Sequence, residues 1–232
     1  MSTKSKADLG IAIYGATGRM GQEIFKIAES ESGWSTPFAV ARNGWEDLLA
    51  QDIDVVIDFS SPEGLMDAID WCVAHDTPLV SGTTALNTAN RTKMEVAAKK
   101  IPILWAANMS LGVHVLAQAL KNLAPLQDWD FQVEETHHRL KKDKPSGTAL
   151  FFQDILAKII LKTLPEPLSA RVGAVVGIHR VSAASEEEML IFEHQALSRT
   201  VFARGALTAA AWLAKRKGKA KLYQMADVLT DP

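Results

Sequence analysis

A single cysteine stands among the 232 residues. Cys72 alone cannot close an intrachain disulfide, and it excludes a zinc site built on cysteines. Charge of one sign is missing as well. The 25 Lys and Arg nearly balance 27 Asp and Glu, for a formal charge of −2. Nothing in that balance steers the chain to nucleic acid or to an anionic membrane surface. No apolar run approaches the ~20 residues of a membrane-spanning helix. Residues 1–8 are polar and lack a signal-peptide core, so they read as a short disordered lead-in. Internal repeats and low-complexity segments are absent too. What is present is an apolar fraction of 47%, that of a globular protein with a real core. The length suits one large domain or two modest ones. A soluble, reducing, cytoplasmic setting is the expectation.

The richest stretch is residues 134–149, which packs two adjacent histidines, a lysine cluster and a Ser-Gly-Thr turn together. Pro145 should stop any preceding helix, and Ser146 or Thr148 can cap the next one, expected from about Ala149. A helix N-terminus attracts a carboxylate or phosphate through its amides and dipole. A histidine beside such a turn can move a proton at neutral pH. Adjacent histidines on a strand point to opposite faces, so one of the pair suffices for this. The segment reads as a site for an anionic substrate that gains or loses a proton. No carboxylate or third histidine sits at ligand spacing around His137 and His138, so no metal is expected.

The first half has a different rhythm. Residues 9–14 form an apolar run, followed at once by Gly15, Ala16, Thr17, Gly18, Arg19, Met20 and Gly21, and then by an amphipathic helix over 22–29. Strand, glycine turn and helix in this order favour a dinucleotide, whose pyrophosphate approaches the helix N-terminus. Residues 37–41 read as the second strand. Arg42 follows it where NAD-preferring domains place an acid, which favours NADPH over NADH. Further strands are expected over 54–59, 78–81 and 102–105. Helices are expected from Pro62 to about Ala74, with Ser61 as cap, and over 88–100. This is a doubly wound parallel sheet, with its turns at the strand C-terminal ends lining one crevice. After a helix from Leu111 the pattern changes. It predicts strands over 131–136, 171–181 and 189–196, helices over 149–161 and 202–213, and a solvated basic loop over 215–221. The fold expectation is α/β, a Rossmann-like doubly wound parallel sheet plus a second α+β domain for substrate binding and oligomerisation. The domains are expected at 1–109, completed by 206–232, and at 110–205.

These motifs together resemble the dihydrodipicolinate reductase family over nearly the whole chain. The resemblance rests on the glycine turn at 15–21, Asp58 to Gly64, Ser81 to Thr84, Ala106 to Val113, His137 to Arg139 with Lys141 and Asp143, Pro145 to Ala149, and Ser198 to Ala206. It implies a nicotinamide-dependent reductase of the diaminopimelate–lysine pathway. Gly15, Ala16, Thr17, Gly18, Arg19 and Met20 would hold the pyrophosphate, and Arg42 the adenosine end. Gly82, Thr83, Thr84, Ala106, Ala107, Asn108 and Met109 would line the nicotinamide end. His137 is implied as general acid/base and Lys141 as proton donor, with His138, Ser146, Gly147 and Thr148 on the carboxylates of a cyclic dicarboxylate. The family also implies a homo-oligomer, a tetramer or else a dimer. A paralogue reducing another cyclic imine dicarboxylate is the second reading, and a non-catalytic NADP(H)-binding sensor the third.

Overall fold

The computed structural model describes residues 8–40 and 44–231. Arg42, the expected adenosine contact, lies outside the described residues. The chain divides into two compact units, one reaching Met109 and resuming at Phe202, the other Ser110–Val201.

The first unit opens with β1 (Ile11–Tyr14), buried at every position, and α1 (Arg19–Ser30). β2 (Phe38–Val40) pairs parallel with β1. The short stretch before the next strand carries one 3-10 turn, Glu46–Ala50. β3 (Val55–Asp58) is again wholly buried, as a strand covered on both faces of a parallel sheet must be. α2 (Pro62–Ala74) starts as its sequence dictates: Ser61 accepts a hydrogen bond from Gly64 N, and Pro62 sits at the first position. β4 (Leu79–Ser81), α3 (Thr88–Ala97) and β5 (Pro102–Trp105) complete the run. Ala12, Val56, Leu65, Ile69, Leu79 and Ile103 form one core between the sheet and its helices.

The second unit begins with α4 (Leu111–Leu120). In β6 (Asp130–His137) burial alternates strictly. Phe131, Val133, Glu135 and His137 therefore share one face. That face is apolar at one end and titratable at the other. α5 (Gly147–Ile159) is capped by Ser146, whose Oγ accepts from Ala149 N. β7 (Leu168–Arg171), β8 (Gly177–Ala184) and β9 (Met189–Ala196) follow. The sheet order is β7-β6-β8-β9. Val113, Leu116, Phe152 and Leu156 pack on Phe131, Val133, Val181 and Ala183.

Two expectations need correction here. The single strand expected over 171–181 is two strands. The chain turns at Gly173, whose φ is +50°, a region that glycine enters without a Cβ penalty. β7 can then pair parallel with β6 while β8 pairs antiparallel on its other side. The apolar residues on either side of Gly173 masked that break. The solvated basic loop holds over 215–220, but the strand and helix that follow it were not expected. After α6 (Thr200–Ala214) the chain enters β10 (Lys221–Tyr223) and then α7 (Met225–Thr230). β10 pairs parallel with β5 and closes a six-stranded sheet of order β10-β5-β4-β3-β1-β2. A three-residue edge strand beginning with lysine leaves almost no period-two signal to read.

Candidate active site

In the first unit the expected dinucleotide residues that are described fall in the turns after β1, β4 and β5 or in the first turn of α1. Gly15, Ala16 and Thr17 make the turn after β1. Gly15 has φ +81°, and a Cβ there would lie 2.5 Å from the Phe59 carbonyl oxygen. Gly18 is the N-cap of α1, and Arg19 and Met20 open the helix. No side chain caps α1 and no acid sits in its first turn, whereas α2, α3, α4 and α5 each carry a side-chain cap. Backbone amides and the helix dipole are thus the donor set, which fits a diphosphate. Gly82, Thr83 and Thr84 follow β4, and Ala106, Ala107, Asn108 and Met109 follow β5. Thr84 and Ala107 are exposed, while Thr83 and Met109 are buried. Thr83 and Met109 thus contribute to the shape of these turns more than to their surface.

In the second unit β6 delivers Glu135 and His137 to the same buried face. Glu135 accepts a hydrogen bond from His137 Nδ1. A carboxylate only accepts, so the imidazole proton sits on Nδ1 and Nε2 keeps its lone pair. Nε2 lies over Gly177, where a Cβ would come within 3.0 Å of it. Burial lowers the His137 pKa; Glu135 opposes this, and the charges of Lys141 and Arg171 add to it. The ring is therefore neutral at neutral pH and poised to take a proton at Nε2.

Arg171, the last residue of β7, ties this pair to the following loop. Its guanidinium lies 2.8 and 2.9 Å from the two Glu135 oxygens. Nε donates to the Lys141 carbonyl at 3.2 Å, and NH2 donates to the Asp143 carbonyl. Burial raises the Glu135 pKa, but the hydrogen bonds from His137 and Arg171 pull against it, and the carboxyl is held below its usual range. Lys141 N bonds the His138 carbonyl at 3.0 Å, and Lys141 Nζ pairs with Asp143 at 2.9 Å. His137, Lys141 and the helix start at Ser146, Gly147 and Thr148 thus belong to one unit, with His138 half-buried between them.

Sequence reading missed Glu135, Arg171 and His179. The Glu135 signal was present, two residues before His137 on a strand. Arg171 and His179 are brought in only by strand pairing, through Glu135↔Ser169 and Glu135↔His179. His179 Nε2 lies 3.4 Å from Ser146 Oγ, and on β9 His194 Nε2 lies 3.1 Å from Ser110 Oγ. Each of these serines also caps a helix. Burial first, then the charges of His137 and His194, lower the His179 pKa from 6.5 to about 3. Its neutral form stabilises the fold above 6.5, and this stabilisation is lost as pH falls toward 3. His179 should therefore cost about 1.4 kcal/mol of stability per pH unit within that window. Urea unfolding between pH 6 and 4 measures the slope, which should flatten in His179→Asn.

Comparison with known proteins decides the family. Residues 9–109 match the model described as dihydrodipicolinate reductase, N-terminus, and residues 112–229 match the one described as its C-terminus. The chain belongs to the dihydrodipicolinate reductase family. The 4-hydroxy-tetrahydrodipicolinate reductase of Bdellovibrio bacteriovorus is 47% identical over 94% of this chain and 95% of its own length. That of Zymomonas mobilis is 40% identical over 97% and 98%. Among solved structures, a dipicolinate-bound dihydrodipicolinate reductase from Paenisporosarcina sp. TG-14 superposes with a TM-score of 0.78 at 18% identity, covering 94% of this chain and 97% of that one. That likeness concerns the fold. Members of the dihydrodipicolinate reductase family are oxidoreductases, and the Rossmann-type unit makes NAD(P)H the cofactor class. Among the described residues no group of three His, Cys, Asp or Glu is placed to hold a metal ion. None of their helices is long and apolar enough to cross a membrane.

Proposed function

We propose that this protein reduces 4-hydroxy-tetrahydrodipicolinate to tetrahydrodipicolinate with a nicotinamide cofactor, in the route to diaminopimelate and lysine. The observation that carries this reading is the second unit's titratable face. A buried Glu135–His137 pair, a lysine held by its backbone, and a serine-capped helix start all lie between residues 135 and 147. A cyclic dicarboxylate needs those three things: an anion site, a cation and a proton group.

The reduced nicotinamide, when bound, supplies the hydride. Everything else falls to side chains and amides of this chain. The α5 N-terminus, with Ser146, Gly147 and Thr148, attracts one substrate carboxylate through its amides and dipole. His138 adds a donor. Lys141 neutralises the diacid and makes its ring more electrophilic. The reduction takes up a hydride and a proton and releases the 4-hydroxyl as water: Lys141 Nζ donates the proton, and His137 Nε2, left as an acceptor by the Glu135 hydrogen bond, takes the ring proton that departs with the hydroxyl. The turns at 15–20, 82–84 and 106–109 hold the dinucleotide. Arg42 in place of an acidic ribose contact supports NADPH over NADH.

The test is oxidation of NADPH and of NADH by the purified protein with freshly made dihydrodipicolinate synthase product. Oxidation should be faster with NADPH. Oxidation of neither cofactor would point to another cyclic imine dicarboxylate as the substrate. Equal rates would remove the role given to Arg42.

A further inference from the structure

Asp58 ends β3 in the interior of the six-stranded sheet and is wholly buried. None of the proton chemistry above uses it. Its Oδ1 accepts from the backbone N (3.1 Å) and hydroxyl of Ser60. Its Oδ2 accepts from Ser81 Oγ at 2.7 Å and Thr83 Oγ1 at 2.8 Å. Four donors fill the four lone-pair directions of a carboxylate, and a protonated acid could not accept them all. Burial pushes the Asp58 pKa up, and these hydrogen bonds pull against it. None of the four donors is a cation, so the group is not part of an ion pair with them. A buried charge satisfied wholly by hydroxyls and an amide fixes the segments that donate to it.

The donors pass the constraint on. Ser81 Oγ accepts from Thr83 N at 3.2 Å, and Thr83 Oγ1 accepts from Ser60 N at 3.1 Å. The Thr83 carbonyl takes Trp105 Nε1 at 2.9 Å, and the Asp58 carbonyl takes Gly82 N at 2.9 Å. Every polar group of Thr83 is thus engaged within the protein, and the residue is 4% exposed. Between Asp58 and Ser60, Phe59 closes the remaining gaps. Its carbonyl oxygen lies against Gly15, and a Cβ at Gly82 would sit 2.2 Å from its ring. One three-residue segment therefore touches the glycine turn after β1 and the turn after β4.

We propose that Asp58 is a positioning residue for dinucleotide binding, and that Thr83 acts through it instead of donating its hydroxyl to the cofactor. This rests on the reading of residues 15–20 and 82–84 as the cofactor turns. Contacts from the second turn then come from Gly82 and Thr84.

The experiment is a fluorescence titration of NADPH into the wild type, Asp58→Asn, Thr83→Val and the double variant, with pyridine-2,6-dicarboxylate titrated in parallel. Asp58→Asn should weaken NADPH about tenfold, the equivalent of about 1.4 kcal/mol. Thr83→Val should weaken it less, and the double variant should be no weaker than Asp58→Asn alone, because neighbours in one network do not add. Diacid affinity should stay at the wild-type value, since general damage to the fold would move both ligands. If Asp58→Asn does not fold, Ser81→Ala, which removes one donor and the support of Thr83 N, should weaken NADPH in the same selective way. Wild-type NADPH affinity in Asp58→Asn or in Ser81→Ala would overturn the proposal, as would additive losses in the double variant. A wild-type protein that binds neither NADPH nor NADH would instead overturn the cofactor reading on which the proposal stands.

Discussion

Replacing His137 or Lys141 by alanine should lower kcat by about 10²–10⁴-fold, the range of positioned general acids and bases. NADPH affinity should stay near the wild-type value, because both residues lie in the second unit and the cofactor turns lie in the first. Steady-state kinetics beside a cofactor titration checks both halves. The two variants should differ in pH behaviour. Burial lowers the His137 pKa, so the free enzyme loses its neutral imidazole only as pH falls below the ordinary histidine range. The acidic limb of kcat/KM should therefore lie below 6.5 in the wild type and disappear in His137→Ala. Lys141→Ala should keep that limb while raising KM for the diacid, because a cation facing the substrate has gone. Wild-type turnover in either variant would remove that residue from the proton chemistry.

Arg171→Leu should be among the most damaging single changes in the second unit. The Glu135 side chain is fully buried and Arg171 only 11% exposed. Removing the guanidinium leaves a buried carboxylate with His137 alone. Breaking one partner of a buried pair costs about 3–5 kcal/mol, and urea unfolding should show a loss of that size. The double variant Arg171→Leu, Glu135→Gln should recover much of the stability, since no uncompensated charge remains. It should not recover activity. Arg171 also holds the Lys141 and Asp143 carbonyls, and Glu135 sets the His137 tautomer. Recovery of turnover along with stability would show that the clamp is structural only.

What the sequence made legible follows from how local each signal is. The strand–glycine turn–helix at the start, the Ser61-Pro62-Glu63 helix entry and the Ser146 cap are encoded within a few neighbouring residues, and each appears where it was expected. The histidine segment was legible as chemistry for the same reason. Its supports were not. Arg171 and His179 reach Glu135 and Ser146 across strand pairings, and no local pattern announces a pairing. The break at Gly173 and the short β10 carry too few residues for a period to emerge. Asp58, Ser60, Ser81 and Thr83 all sat within recognised motifs. The resemblance put Thr83 at the nicotinamide end and gave Asp58, Ser60 and Ser81 no role, whereas the structure turns all four toward each other.

Transfer of hydride from a nicotinamide cofactor to a cyclic dicarboxylate is the step on which the proposed function stands. The most direct test uses NADPH deuterated at its transferable position, the freshly made product of dihydrodipicolinate synthase, and mass spectrometry of the reaction mixture. Tetrahydrodipicolinate should be one mass unit heavier than with unlabelled cofactor, formed in step with NADPH consumption and lost in His137→Ala. NADPH consumption without deuterium in the diacid product, or an unlabelled product formed at the same rate, would contradict it.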